Sequence, residues 1–308
     1  VVRSLAVVTV REVGLRDGLQ ILSRVVPTAV KLEWLRAAYD AGLRELEVGS
    51  FVPVKLMPQL ADTAELVAFA KTLPGCKPSV LVPNPKGAER ALDADAHAML
   101  LPLSASHEHS LANLKRTPDA VIEDLHRIVE LRDARGSDCL VEVGLSTAFG
   151  CTIQGRVEPD EVVRLVKAAL ATGIDRIGLA DTVGYADPLH VKTLFERCLE
   201  VAGDKLGCGH FHDTRGLGSA NVFAAWQAGI RRFDACVGGI GGCPHAPGAS
   251  GNVATEDVAY LFASMGVPTG LHFDRLMALR GRIAQWLEGE PLHGAIWRAG
   301  LPKTVVAA

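Results

Sequence analysis

Short, strand-like apolar runs alternate along this chain with longer stretches whose apolar residues recur at helical spacing. Leu5–Val10 reads as the first strand and Thr28–Ala41 as the helix after it, with Thr28 its expected N-cap and Gly42 its stop. The alternation continues through strand Arg44–Val48 and helix Met57–Thr72, strand Pro78–Val82 and helix Pro85–Leu92, and strand Ala98–Leu101 and helix Pro118–Arg135. Strand Cys139–Leu145 with helix Pro159–Ala171 and strand Arg176–Leu179 with helix Pro188–Val201 come next. Strand Leu206–Phe211 with helix Ser219–Ala228 follows, and a last strand, Phe233–Val237, runs into a glycine-rich loop. Strands joined by helical crossovers pair in parallel. Eight such units over about 240 residues predict an α/β fold of the (β/α)8 TIM-barrel type. A doubly wound open sheet is the competing arrangement, but no Gly-x-Gly-x-x-Gly follows the first strand. Val253–Met265 and Phe273–Trp286 read as extra C-terminal helices against the barrel, so 1–308 is expected to form one domain. The barrel would occupy about 5–240, and the C-terminal loop and helices about 241–298.

Composition narrows the class of partner. A formal net charge of −3 and the lack of a basic block leave no footprint for nucleic acid. No apolar run approaches the roughly 20 residues of a membrane helix, so no membrane is expected. Val1–Val10 carries one Arg and no small-residue cleavage site, and reads as strand rather than signal peptide. The seven cysteines are scattered and lack zinc-knuckle spacing, which fits a reducing, cytoplasmic compartment.

Polar residues gather where the predicted strands end, and a parallel barrel does its chemistry there. His210 and His212 lie two apart at the end of the seventh strand, so their imidazoles share a face and can share a divalent metal. Structural histidines in a polar barrel mouth are the plainer alternative. Arg16-Asp17-Gly18 has the form of a surface turn, yet it follows the first strand. There the carboxylate is a candidate metal ligand and the guanidinium a candidate oxyanion partner, with Glu47 placed to fix the arginine's fork. Strand two ends in Glu45-Leu46-Glu47, strand five carries Glu142, and strand six ends at Asp181. The run Gly238–Asn252 has a backbone able to approach a ligand closely and lacks the Lys-Ser/Thr of a P-loop. Its Cys243 is a candidate proton donor or nucleophile, where a cysteine inside a strand would be inert.

Four stretches together resemble the 3-hydroxy-3-methylglutaryl-CoA lyases, metal-dependent TIM-barrel lyases grouped with the isopropylmalate and citramalate synthases. They are Val10–Gln20, Ser50-Phe51-Val52-Pro53, Pro83-Asn84-Pro85-Lys86-Gly87 and the loop Gly238–Asp257. The segment Gly241–Asp257 is the most specific, and is of the lyase rather than the condensing type. The resemblance runs from about Val10 to about Trp286. It implies that Asp17, His210, His212 and Asn252 hold a divalent metal, Mg²⁺ or Mn²⁺, and Asn252 is supplied by the resemblance alone. It implies that Arg16 steadies the enolate-like transition state, that Cys243 of the mobile loop transfers a proton, and that Glu47 and Asp181 support the site.

The reaction so implied is retro-Claisen cleavage of a 3-hydroxyacyl-CoA, with hydroxymethylglutaryl-CoA giving acetyl-CoA and acetoacetate. Oxygen and imidazole ligands suit a hard divalent ion, and either Asp17 or His210 could accept the hydroxyl proton. Three departures from the family pattern bear on the acyl group: Ile21-Leu22-Ser23-Arg24, the strand-five end Ser146-Thr147-Ala148-Phe149-Gly150-Cys151-Thr152, and Arg215-Gly216-Leu217-Gly218. Ile21-Leu22-Ser23-Arg24 is expected to make the strand-one mouth greasier, and Arg215 to offer another carboxylate partner beside the metal. Citramalyl-CoA, a longer branched 3-hydroxyglutaryl-CoA and a 4-hydroxy-2-oxo acid are the alternative substrates. A condensing synthase and a non-catalytic barrel binding coenzyme A esters are the alternative functions. A homodimer or higher homo-oligomer is expected for a barrel with extra C-terminal helices.

Overall fold

The computed structural model describes residues 6–242 and 251–303. Among them, eight parallel strands close into a barrel in sequence order. They are β1 (Thr9–Glu12), β2 (Glu45–Ser50), β3 (Lys77–Leu81), β4 (Ala98–Ser104), β5 (Leu140–Ser146), β6 (Arg176–Asp181), β7 (Leu206–Phe211) and β8 (Arg232–Ala235). The helices packed around it are α1 (Thr28–Asp40), α2 (Thr63–Lys71), α3 (Pro85–Asp93), α4 (His107–Leu114), α5 (Pro118–Ala134) and α6 (Pro159–Ala171). They continue with α7 (Pro188–Ala202), α8 (Gly218–Ala228), α9 (Thr255–Ser264), α10 (Phe273–Trp286) and the single turn α11 (Ile296–Ala299). The TIM-barrel expectation and the C-terminal helices are therefore met. Pairing of β1 with β8, from Thr9↔Arg232 to Glu12↔Ala235, closes the ring. Outward faces such as Val141, Val143, Leu145, Ile177 and Leu179 are buried against the helices, which is where the apolar core sits.

Four local expectations are corrected. Thr28 is not the cap of α1 but its first residue; Pro27 takes the cap position, and the Thr28 hydroxyl donates to Asp62 at 2.8 Å. The helix expected over Met57–Thr72 breaks into a 3₁₀ turn, Pro58–Leu60, and α2. Asp62 lies at that break, held by the buried Lys31 ammonium at 2.7 Å, while Thr63 Oγ1 donates to the Leu60 carbonyl. The fourth strand runs past Pro102 to Ser104, because pairing with β5 continues through Pro102↔Gly144 and Ser104↔Ser146. Helix α4, absent from the sequence reading, starts at a Ser106 cap whose hydroxyl accepts from the His109 N–H.

Glu12 faces outward from β1 and ties the two ends of the barrel together. Its carboxyl accepts from Gly14 N, Val237 N and Thr255 Oγ1, at 3.1, 3.1 and 2.7 Å. Burial pushes its pKa up from the ordinary 4.5 to about 7, against the pull of these hydrogen bonds. A carboxyl whose folded pKa is raised contributes fully below its unfolded value, and the contribution is lost as pH rises through the folded one. Glu12→Gln should therefore flatten the decline of melting temperature between about pH 5 and about pH 8. A variant whose melting temperature falls as steeply as the parent's across that range would contradict this role.

Candidate metal and active site

Just after β1 the chain makes one wide helical turn, Gly14–Gly18, in which the N–H groups of Arg16, Asp17 and Gly18 converge on the Val13 carbonyl. Such wide turns commonly mark functional sites. Gly14 permits it: a Cβ there would lie 2.6 Å from Glu12 Oε1 and 2.7 Å from the Trp34 ring. The turn delivers Arg16 and Asp17 into the barrel mouth, both buried. Arg16 Nη1 donates to Asp17 Oδ1 at 2.6 Å, and Nη2 lies 2.7 Å from Glu47 Oε2. The Arg16–Glu47 pairing expected from the sequence is thus present, and Glu47 is fully buried rather than a surface charge.

His210 and His212 project from the end of β7 toward this pair, with their Nε2 atoms 3.1 Å apart. One ligand atom from each of Asp17, His210 and His212 falls within 4.8 Å of the others. Asn252 reaches the same point through the backbone. It bridges to His212 in antiparallel fashion, with Val253 N donating to the Phe211 carbonyl and Asp213 N to the Gly251 carbonyl. Its Nδ2 donates to Asp17 Oδ2 at 2.6 Å, while its buried Oδ1 accepts no hydrogen bond. Rotation of the amide by a half-turn exchanges these two atoms and presents the oxygen instead. Gly241, at φ +116°, lets the loop pass over this cluster, since a Cβ there would meet Asn252 Nδ2 at 2.5 Å and Asp17 Oδ2 at 2.9 Å.

The protonation states of Asp17 and His212 suit cation binding. Burial opposes charge on Asp17, but Arg16 and the two histidines outweigh it and hold the carboxyl below its usual range. Burial, reinforced by neighbouring His210, lowers His212 to about 4, so it is neutral near pH 7. Burial also works against charge on His210, yet the hydrogen bond from its Nδ1 to Asp234 at 3.1 Å prevails and raises its pKa. That bond fixes the ring so that Nε2 faces Asp17 and His212, the arrangement usual for a metal-bound imidazole. A carboxylate oxygen, two imidazole nitrogens and an unsatisfied amide oxygen make a donor set that fits a divalent cation.

Other expected residues fall elsewhere. Asp181 turns away from the barrel axis, and its oxygens accept from Tyr185 N at 2.8 Å and Ala186 N at 3.1 Å, holding the loop after β6. Glu142 sits on the barrel floor rather than at the rim, among Arg11, Arg176 and Arg232. Arg215 does not face the metal cluster; it donates to the Val183 and Gly184 carbonyls and stacks over Tyr185. None of Ile21, Leu22, Ser23 and Arg24 lines the cavity; Leu22 is buried, and Arg24 donates to the Glu288 carbonyl. Among the described residues, that segment therefore adds no wall to the cavity. Cys243 lies outside the described residues, although Gly242 beside it in the chain lines the cavity.

Two members of the cluster were not singled out from the sequence. Gln20 donates to Asp17 Oδ1 at 2.7 Å, and Asp234 supports His210 from below. The available signal for Asp234 was an acid inside an otherwise apolar strand run, which burial tolerates only with partners. A cavity of about 630 Å³ opens at the strand C-termini over Arg16, Asp17, His210 and His212.

Comparison with known proteins agrees with this arrangement. Residues 7–283 match the HMGL-like family. A hydroxymethylglutaryl-CoA lyase of Bacillus subtilis is 37% identical over 289 residues, covering 92% of this chain and 94% of that protein. An (R)-citramalyl-CoA lyase of Chloroflexus aurantiacus is also 37% identical, over 303 residues and 95% of each chain. The structure of an HMG-CoA lyase from A. baumannii, in complex with coenzyme A and 3-methylmalate, superposes with a TM-score of 0.90 at 38% identity, covering 98% of both chains. With the family matched along nearly the whole barrel and its Asp-His-His cluster assembled, the chain belongs to the HMGL-like family and is a carbon–carbon lyase of that kind.

Proposed function

We propose that the protein cleaves the Cα–Cβ bond of a 3-hydroxyacyl-CoA, with hydroxymethylglutaryl-CoA as the reference substrate and acetyl-CoA and acetoacetate as products. The observation that carries this reading is the convergence of Asp17, His210 and His212 beside the Arg16–Glu47 pair. A bound Mg²⁺ or Mn²⁺ would lower the pKa of the substrate's hydroxyl and orient it with the distal carboxylate. Asp17, His210, His212 and Asn252 are the residues that would hold it.

The remaining steps belong to side chains of the protein. Asp17 or His210 takes the hydroxyl proton as the ketone forms, and Asp234 steadies positive charge on the His210 ring. Arg16, its fork anchored on Asp17 and Glu47, keeps a buried Nε–H without a hydrogen-bond partner. That donor is suited to the thioester oxygen as the departing acetyl group becomes an enolate. Cys243, next in the chain after the cavity-lining Gly242, returns a proton to the enolate carbon.

Citramalyl-CoA is the second reading, favoured by the 37% identity to the Chloroflexus lyase. The test is a panel of hydroxymethylglutaryl-CoA, citramalyl-CoA and 4-hydroxy-2-oxo acids, assayed with Mg²⁺ or Mn²⁺ and again with chelator. Metal-dependent acetyl-CoA release from one of the esters is the expected result. Release of free coenzyme A from acetyl-CoA and pyruvate would mark a condensing enzyme instead. Turnover that survives exhaustive chelation would end the metal assignment.

A further inference from the structure

The turn that follows β8, Val237–Gly239, carries the chain toward the metal cluster and cannot hold its own shape. Gly238 and Gly239 lie at φ +75° and +59°, and glycine leaves such angles as readily as it adopts them. The turn is gripped from outside instead. Val237 N donates to Glu12 at 3.1 Å, and Gly238 N donates to both oxygens of Glu256, on α9, at 3.1 and 3.2 Å. The Gly238 carbonyl accepts from His293 N at 2.7 Å. One glycine is thus held by α9 through its N–H and by the C-terminal segment through its carbonyl.

That segment, residues 292–297, forms a strap beyond residue 283, where the family match ends. Buried Arg280 of α10 latches it. Its Nε donates to Glu256 at 2.8 Å, its Nη2 donates to the His293 carbonyl at 3.1 Å, and its guanidinium lies 4.0 Å from the centre of the Trp297 ring. Asp257 fastens the strap again, accepting from Ala295 N at 2.8 Å and Ile296 N at 2.9 Å. The turn so held touches a candidate ligand. A Cβ on Gly239 would stand 3.1 Å from both His293 Cβ and the Asn252 carbonyl, so strap and ligand backbone close on the same glycine. A Cβ on Gly251 would overlap the Gly239 carbonyl. One residue further along, the Ile240 carbonyl accepts from Asn252 Nδ2 at 3.1 Å. Asn252 therefore takes part of its position from the turn, and the turn takes its position from Glu256, Arg280 and the strap.

We propose that Arg280 and the strap it latches are positioning elements of the metal site, raising its affinity for a divalent cation by fixing Asn252 through the backbone of residues 238–240. Neither reaches the cation or the substrate; both act through the turn. The inference rests on the reading of Asn252 as a ligand given above, and extends the support of the site to residues outside the barrel. Arg280 suits the task because its planar fork serves two acceptors at once, a carboxylate of α9 and a carbonyl of the strap.

The experiment titrates the full chain with Mn²⁺, following free ion by electron paramagnetic resonance, with melting curves confirming that each variant is folded. Arg280→Met should weaken Mn²⁺ binding about tenfold. His293→Pro, which removes the N–H that holds Gly238, should weaken it at least about threefold. Arg280→Lys keeps the charge without the fork and should fall between Arg280→Met and the parent. Arg282→Met, which alters an exposed arginine of the same helix paired with Glu33, should bind as the parent does. Because the effect passes through Asn252, Arg280→Met should add less than about twofold in an Asn252→Ala background. Unchanged affinity in whichever of Arg280→Met and His293→Pro folds overturns the inference, as does a full tenfold loss on top of Asn252→Ala. Both results leave the lyase reading standing. Parent-like Mn²⁺ binding by Asn252→Ala, or no binding by the parent, overturns the ligand assignment above, and this inference with it.

Discussion

Asp17→Asn should weaken Mn²⁺ binding by at least about 100-fold and slow thioester cleavage by on the order of 10³-fold. The substitution keeps the shape of the side chain and an oxygen for Arg16 Nη1 and Gln20 Nε2, which now meet at Oδ1 at 2.6 and 2.7 Å. What it removes is the negative charge between two imidazoles and a guanidinium. Loss of perturbing substrate contacts elsewhere would raise KM without releasing metal, so the metal titration separates the two causes. Protein that retained stoichiometric Mn²⁺ and its full turnover number would rule out Asp17 as a ligand.

The second large effect is on stability. Glu142→Gln should destabilise the fold by about 3–5 kcal/mol, because it leaves a buried arginine cluster one carboxylate short. Glu142 is 2% exposed and receives Arg11, Arg176 and Arg232. These contacts hold its carboxyl below the usual range despite the opposing effect of burial. Urea unfolding monitored by circular dichroism measures this directly. A loss under about 1 kcal/mol would show that water reaches the floor and compensates the arginines.

Much of the architecture was legible because it is written locally. Alternating strand and helix periodicities, with Gly42 and Gly229 closing their helices, are enough to imply a parallel barrel. The His210/His212 pair was readable for the same reason, since strand alternation puts both on one face. Residues whose role depends on distant partners were harder. Asp181 occupies a strand end like a ligand, yet the alternation of β6 turns it outward to the Tyr185 and Ala186 N–H groups. Asn252 carries no local sign of its position, because its place is set by pairing with His212 across 40 residues of chain. Helix α4 is short and polar along much of its length, His107–Leu114, and is fixed by the Ser106 cap rather than by an apolar stripe. The Glu142 floor requires three strands to be closed around it before its charges make sense.

Asp17 and Asn252 meet although 235 positions separate them. A cation gripping both would act as a clasp between the first and last turns of the ring. Opening the ring would then require either giving up the ion or keeping a very long loop tethered, and both are costly to the unfolded chain. Occupancy by metal should thus lengthen the lifetime of the folded protein as well as equip it for turnover.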